Sequence, residues 1–98
     1  MDHSVFEVSP HIKWSINKFG AIVIYDRTDK KTFLIDTITG KEIWEGILRK
    51  ATLKQLAEEI KQKFKTGKSL DEIEHEVTDF INDLAKTNII HTLKENSS

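Results

Sequence analysis

The chain has no cysteine, and only one proline and four glycines occur among its 98 residues. Without cysteine, neither disulfides nor thiol chemistry are available. No apolar run approaches the ~18 residues that a membrane-spanning helix needs. The N-terminal stretch MDHSVFEVSP also lacks the basic and apolar regions of a signal peptide. These absences fit a reducing cytoplasm, so we expect a cytoplasmic protein with no membrane span.

The length and the charge balance narrow the function further. A chain of 98 residues makes one domain with a modest core, too small for a large catalytic cleft plus a cofactor fold. The formal net charge of -1 gives no global attraction to nucleic acid or to anionic lipid. The two signs of charge are nevertheless separated along the chain. The charged residues within 49–68 are mostly basic, and residues 70–83 contain six carboxylates without any Lys or Arg.

The first third of the chain has the pattern of three short strands. Ile12, Trp14 and Ile16 alternate with polar residues, which predicts a half-buried strand. The β-branched run GAIVIY, residues 20–25, is typical of a central strand covered on both faces. The polar segment DRTDKK then separates it from TFLID, residues 32–36. The spacing predicts a three-stranded antiparallel meander.

Three helix starts follow, each with the pattern of a capping box. The boxes are TGKE beginning at Thr39, TLKQ beginning at Thr52, and SLDE beginning at Ser69. Apolar residues recur at helical spacing behind each box: Ile43, Trp44, Ile47 and Leu48; Leu53, Leu56, Ala57, Ile60 and Phe64; Leu70, Ile73, Val77, Phe80, Ile81 and Leu84. Helix three is expected to stop at Asn88, and IIHTL to continue as a short strand or an extended tail.

These elements predict an α+β fold that is winged helix-turn-helix-like, a three-stranded antiparallel sheet followed by three helices. We expect an N-terminal extension over residues 1–11, the domain over 12–90, and a C-terminal tail over 91–98. Such folds often bind DNA, and a DNA-binding regulator is the alternative function. The third helix would then be the reading helix, but its outward residues are carboxylates that phosphates would repel.

Catalysis has little support in the sequence. The four histidines have no metal-ligand spacing, and no serine has a neighbouring histidine and acid in a recognisable arrangement. Gly40 lies in a capping box rather than in a phosphate-binding loop. We therefore expect no enzyme activity, no catalytic residue, no cofactor and no metal.

Residues 20–90 resemble the PqqD-like family, whose members are called RiPP recognition elements. The family pattern has a strand, then Asn-x-Thr-Gly and an Ile-Trp pair, a helix opened by Thr, and finally Asp-Val-x-x-Phe-Leu-x-x-Leu with Gly-Leu-Leu after it. The matching residues here are Thr39, Gly40, Ile43 and Trp44; Thr52, Leu53, Leu56 and Ile60; Val77, Phe80, Ile81, Leu84, Ile89 and Ile90. The chain departs from the pattern at the Asn, which is Thr37 or Asp36, and at Glu76 and Asn88.

The resemblance implies a non-catalytic module that binds the leader of a ribosomally made precursor peptide. The leader would add as a strand to the third predicted strand and lie beside the third helix, the recognition mode called β-augmentation. The implied partners are the precursor peptide and a modifying enzyme, either a lasso-peptide protease and cyclase or a radical S-adenosylmethionine maturase. No nucleic acid partner is expected.

The helical wheel divides the third helix into a core side and two shoulders. One shoulder carries Ile73 and Phe80 with Glu76 and Asp83 beyond them, and we expect it to face the leader. The other shoulder, with Glu74, Thr78 and Ala85, is the competing choice, and Phe80 alone favours a core position. The expected peptide-binding residues are Thr32, Phe33, Leu34, Ile35, Asp36, Ile73, Glu76, Phe80 and Asp83.

Overall fold

A computed structural model describes residues 5–65 and 67–93. The elements along the chain are β1 (Val5–Val8), β2 (Ile12–Ile16), β3 (Ile22–Asp26), β4 (Lys31–Ile35), α1 (Ile38–Leu48), α2 (Leu53–Phe64), α3 (Leu70–Lys86) and β5 (Ile90–Leu93). The outermost parts of the predicted extension and tail, residues 1–4 and 94–98, lie outside the described residues. Within the described ranges, no helix is long and apolar enough to cross a membrane.

The predicted meander is confirmed, with strand order β2-β3-β4 and antiparallel pairing throughout. Trp14 lies opposite Ile24, which in turn lies opposite Phe33. The middle strand begins two residues later than the GAIVIY run. Gly20 has a φ of +84°, a left-handed conformation that suits glycine and places it in the turn.

The prediction that the middle strand is covered on both faces is wrong. Ile22 and Ile24 are buried, but Val23 is only half-buried and Tyr25 is 39% exposed. The helices cover one face of the sheet and leave the other to solvent. The β-branched run therefore reflects β propensity and one buried face rather than burial on both.

The hairpin between β3 and β4 is held by Asp26, the one charged side chain that is buried among the described residues. Its Oδ1 accepts hydrogen bonds from the backbone N–H groups of Thr28 (2.9 Å) and Asp29 (3.0 Å). His11 Nε2 lies 3.8 Å from the same oxygen. A buried carboxylate is tolerated because these donors replace its hydration.

Residues near the two chain ends pair as a second sheet, which the sequence analysis did not predict for the N-terminal side. β1 runs antiparallel to β5, with Val5 opposite Leu93 and Val8 opposite Ile90. Of the two alternatives for IIHTL, the structure shows the short strand. Glu7 reinforces this pairing, because its two carboxylate oxygens lie 3.3 Å from His91 Nε2 and 3.4 Å from Lys50 Nζ.

Two of the three predicted helix starts are confirmed. The side chains of Thr52 and Ser69 each complete a reciprocal capping box, at the starts of α2 and α3. The first start is wrong, because α1 is capped by Thr37 rather than by Thr39. Thr37 has an extended backbone, and its Oγ1 accepts from the N–H group of Gly40 at 3.0 Å. Asn88 follows α3 with the predicted left-handed conformation, φ +63°.

The core lies between the sheet and the three helices. Trp44 is fully buried and meets Trp14 edge-on, with ring centroids 6.0 Å apart. Its indole N–H has no hydrogen-bond acceptor among the described residues. The buried apolar set includes most of the predicted stripes: Ile43, Trp44, Ile47, Leu53, Leu56, Ala57, Ile60, Ile73, Val77, Ile81 and Leu84.

Gly46 allows α1 and α2 to pack closely. A Cβ at this position would lie 1.9 Å from Cδ2 of Leu56, which is itself fully buried. We expect Gly46→Ala to lower the free energy of unfolding by about 1–3 kcal/mol, because overpacking outweighs the better helix propensity of alanine. Urea unfolding measures the change.

Gly67→Ala is the matched control, since a Cβ there would meet no atom within 4 Å. Adding Leu56→Ala to the Gly46→Ala variant should remove the overlap, so the two changes together should cost less than their sum. Equal losses from the alanines at 46 and 67 would contradict this account.

Candidate functional site

The free edge of β4 follows from the hydrogen-bond pattern of the meander. Asn17 N–H donates to the Ala21 carbonyl (2.9 Å), and Arg27 N–H donates to the His11 carbonyl (3.0 Å). Bonded and non-bonded pairs alternate in an antiparallel ladder, so the even-numbered residues of β3 bond to β4. Their partners are Lys31, Phe33 and Ile35. The backbone groups of the residues between them therefore point away from the sheet.

Those outward residues are Thr32 and Leu34. Since β4 is the last strand of its sheet in the part of the chain that the structure describes, their N–H and C=O groups form an open edge that can accept another strand. The side chains of β4 point alternately to the two faces of the sheet, not to its edges. Phe33 is half-buried and Ile35 is 6% exposed toward the helices, whereas Leu34 is 57% exposed on the opposite face. An added strand would thus have one helix-facing and one solvent-facing side.

Gly40 brings α1 and α3 to the end of β4. A Cβ on Gly40 would lie 2.8 Å from Cγ2 of Ile35 and 3.3 Å from Cε2 of Phe80. The aromatic ring on α3 therefore packs against the junction between β4 and α1. Because α3 otherwise packs mainly on α2 and β5, this ring is the point at which the helix approaches the open strand.

The structure brings together six of the nine predicted peptide-binding residues at this junction. The five residues of the segment 32–36 lie on or directly after β4, and Phe80 is half-buried beside its end. The Phe80 shoulder of α3 is thus next to the strand. Phe80 also packs against the core, which is the position that its place in the sequence pattern alone favoured.

Ile73 does not belong to this surface. It is only 2% exposed and forms part of the core, so its side chain is not available to a peptide. The helical wheel placed it on a shoulder because the wheel ignores how α2 packs over the first turns of α3. We therefore remove Ile73 from the candidate site.

The carboxylates of the site differ in their surroundings. Asp36 and Asp83 are exposed, and so is Glu76. Glu76 forms an ion pair with Lys68, in the loop that precedes α3. This ion pair partly neutralises the charge of Glu76. Of the two candidate carboxylates on α3, Asp83 therefore contributes more to the negative potential of the site. The sequence could not show this difference because it depends on the path of the loop.

Ion pairs dominate the concave surface along α2. Arg49 Nη2 lies 2.8 Å from Glu59 Oε1, and Lys63 Nζ lies 3.1 Å from Glu42 Oε1. The hydrogen bond from Arg49 lowers the pKa of the Glu59 carboxyl, and the same bond raises the pKa of the guanidinium. Both pKa values move away from neutrality, which suits structural pairs rather than acid–base catalysis. Residues 5–65 and 67–93 contain no cluster of potential metal ligands.

Gly40 is the site residue whose role the sequence analysis missed. It was interpreted as part of a capping box, but its importance is the absent side chain between Ile35 and Phe80. The available signal is a glycine within a helix, because alanine favours the helix more unless a close neighbour excludes its side chain.

The fold and the open strand edge define a small α+β domain suited to binding an extended peptide. The model of the family described as coenzyme PQQ synthesis protein D (PqqD) matches residues 23–90. The chain belongs to this family, as its strand, cap and helix motifs indicated. A search of curated proteins found no match.

Two solved structures share the fold. One is lasso peptide synthetase B1 complexed with the leader peptide, with a TM-score of 0.75, 14% identity, and coverage of 88% of this chain and 96% of that one. The other is TbiB1 in complex with the TbiA(beta) leader peptide, with a TM-score of 0.75, 15% identity, and coverage of 91% and 99%. The α+β fold is thereby confirmed.

The alternation along β4 makes a direct prediction for amide hydrogen exchange. The amides of Phe33 and Ile35 should exchange slowly because they donate to β3, and those of Thr32 and Leu34 should exchange quickly because they face the open edge. Exchange followed residue by residue by NMR checks this. The reverse alternation would mean that the free edge presents the other set of backbone groups.

Proposed function

We propose that this protein is a non-catalytic module that binds the leader of a ribosomally made precursor peptide. The leader adds as a strand to β4 and lies between that strand and α3. The observation that carries the proposal is the pair of outward backbone positions at Thr32 and Leu34, beside the ring of Phe80. Two proteins of the same fold were solved with leader peptides, which supports a leader peptide as the ligand.

Backbone pairing supplies an attachment that depends little on the leader's sequence. Side chains of the leader alternate, so every second one faces the helices and meets the half-buried rings of Phe33 and Phe80. An extended peptide loses conformational freedom on binding, and apolar anchors in this position must therefore provide much of the affinity. Asp36, Glu76 and Asp83 add a negative field, which favours Lys or Arg next to the anchors.

The module delivers its peptide to a modifying enzyme and performs no chemistry itself. The shared fold with lasso peptide synthetase B1 supports a protease and cyclase pair as the client. Membership of the PqqD family equally supports a radical S-adenosylmethionine maturase. We propose a cytoplasmic location for this protein.

DNA binding is the weaker alternative for this fold. A winged helix reads DNA with a helix inserted in the major groove, where a dense field of phosphates surrounds it. The exposed side of α3 carries carboxylates along its length: Asp71, Glu72, Glu76, Asp79 and Asp83. A phosphate backbone would be repelled by this face, whereas a basic leader would be attracted to it.

Leu34→Pro tests the strand-addition mechanism. The N–H group of Leu34 points away from β3, so proline removes a donor from the open edge without breaking the meander. A leader peptide from the precursor that this module serves should bind about 5- to 150-fold more weakly, since one unpaired buried backbone group costs about 1–3 kcal/mol. Titration calorimetry measures the affinity, and circular dichroism verifies the fold.

Ile16→Pro is the matched control, because it removes an outward N–H group from the opposite edge of the same sheet. This variant should bind the leader as the wild type does. If both proline variants bind the leader more weakly than the wild type, or if neither does, β4 is not the binding edge.

Charge reversal tests the acidic wall of the groove. Asp83→Lys should lower the affinity for a basic leader a few-fold and reduce the salt dependence of binding, because exposed ion pairs contribute about 0.2–1 kcal/mol each. Glu58→Lys makes the same change of charge on α2 and should have little effect. An equal response of the two variants would show that net charge, rather than the groove, governs the attraction.

A further inference from the structure

Among the described residues no strand pairs with the outer side of β2, so the meander has a second open edge there. The same alternation that exposes Thr32 and Leu34 directs the odd-numbered residues of β2 toward β3. The backbone groups of Trp14 and Ile16 therefore point outward. Ile12 differs, because its N–H group donates to the Ser9 carbonyl at 3.0 Å. The unpaired part of this edge is thus centred on Trp14 and Ile16.

The side chains of this edge are apolar and poorly covered. Trp14 is 41% exposed and Ile16 is 61% exposed, although both lie on the helix-facing side of the sheet. Phe19, in the turn that follows, is 81% exposed. Soluble proteins usually protect an edge strand with inward charges, prolines or a covering element. Here α1 covers the strand only in part, through the contact of Trp44 with Trp14.

The charge around this edge is positive. No Asp or Glu occurs between Glu7 and Asp26, whereas Lys13 and Lys18 lie within that segment. Lys18 Nζ is 5.3 Å from the ring centroid of Phe19. Lys41 extends from α1 to the same turn, since its Nζ lies 3.6 Å from the position of a Cβ on Gly20. The β2 edge is therefore basic and apolar. The β4 edge begins with exposed Lys31 and has carboxylates only toward its C-terminal end, at Asp36 and on α3.

We propose that β2 of one molecule pairs with β4 of another and occupies the leader groove. The inference rests on the leader groove proposed above, because the segment HIKWSINKF has the same chemistry as the expected leader. Its residues 12–16 are extended, with apolar residues at alternate positions and lysines between and after them. Both surfaces of this interface are present in each molecule, and the lysines of β2 are complementary to the carboxylates at the C-terminal end of β4.

Such pairing uses different edges on the two molecules, so it does not close on itself as a two-fold dimer does. One short strand and two or three side chains form a small interface, which indicates weak and reversible association. The association covers both sheet edges when the protein is concentrated and no leader is present. A leader releases the molecule by competing for β4, which makes self-association a form of regulation of the same groove.

The first test is sedimentation of the full chain at micromolar to millimolar concentration. The average mass should rise above the 11.3 kDa of one chain as concentration increases. It should fall again with added salt, or with a synthetic peptide of residues 11–19 as competitor. A single-chain mass over the whole range would overturn the proposal.

Two prolines identify the edges involved. Ile16→Pro blocks the β2 edge and Leu34→Pro blocks the β4 edge, so neither variant should self-associate alone. Mixed together, the two variants retain one complementary pair of edges and should form a one-to-one dimer. Self-association of Leu34→Pro alone would show that β2 pairs with β2, and self-association of Ile16→Pro alone would show that β4 pairs with β4; either result overturns the proposal.

Charge variants keep the test decisive if a proline variant does not fold. Lys41→Glu should weaken self-association about fivefold, and Lys54→Glu, with the same change of charge on α2, should leave it unaltered. Equal effects of these two variants would overturn the proposal. Leader binding is measured separately, on Ile16→Pro. If self-association is not observed, the leader-binding result still stands; if leader binding is not observed, the self-association result still stands.

Discussion

The close approach of Ile35, Gly40 and Phe80 is the constraint on which the candidate site depends. It fixes the end of β4, the first turn of α1 and the middle of α3 relative to one another. The cap at Thr37 turns the chain from strand to helix within two residues, so no flexible linker separates these elements. A groove between a strand edge and a helix keeps its width only if both sides are held this firmly.

Much of the fold follows from periodicity and capping chemistry. The three strands of the meander and the stripes of α2 and α3 were predicted because their apolar spacing matches one period clearly. The start of α1 was not, because Thr37 and Thr39 both precede an apolar run and only the backbone conformation distinguishes them. β1 has just four residues, and its partner lies more than eighty positions away, so no local signal reveals the pairing.

The site was predictable as a region but not as a set of contacts. The family motifs pointed to β4 and to one shoulder of α3, and Phe80 lies where that shoulder meets the strand. Ile73 was misassigned since a helical wheel contains no information on the neighbouring helix. Which backbone groups of β4 point outward depends on the register of strand pairing. That register is set by the two hairpin loops that flank β3.

The pairing of β1 with β5 has a consequence for how such a domain can be combined with others. Val5 lies directly opposite Leu93, so the first and last described residues are neighbours in space. Adjacent ends allow a domain to be inserted into a surface loop of a host protein, or to be circularly permuted, without rearranging its core. The architecture is therefore compatible with a grafted insert as well as with a free-standing chain.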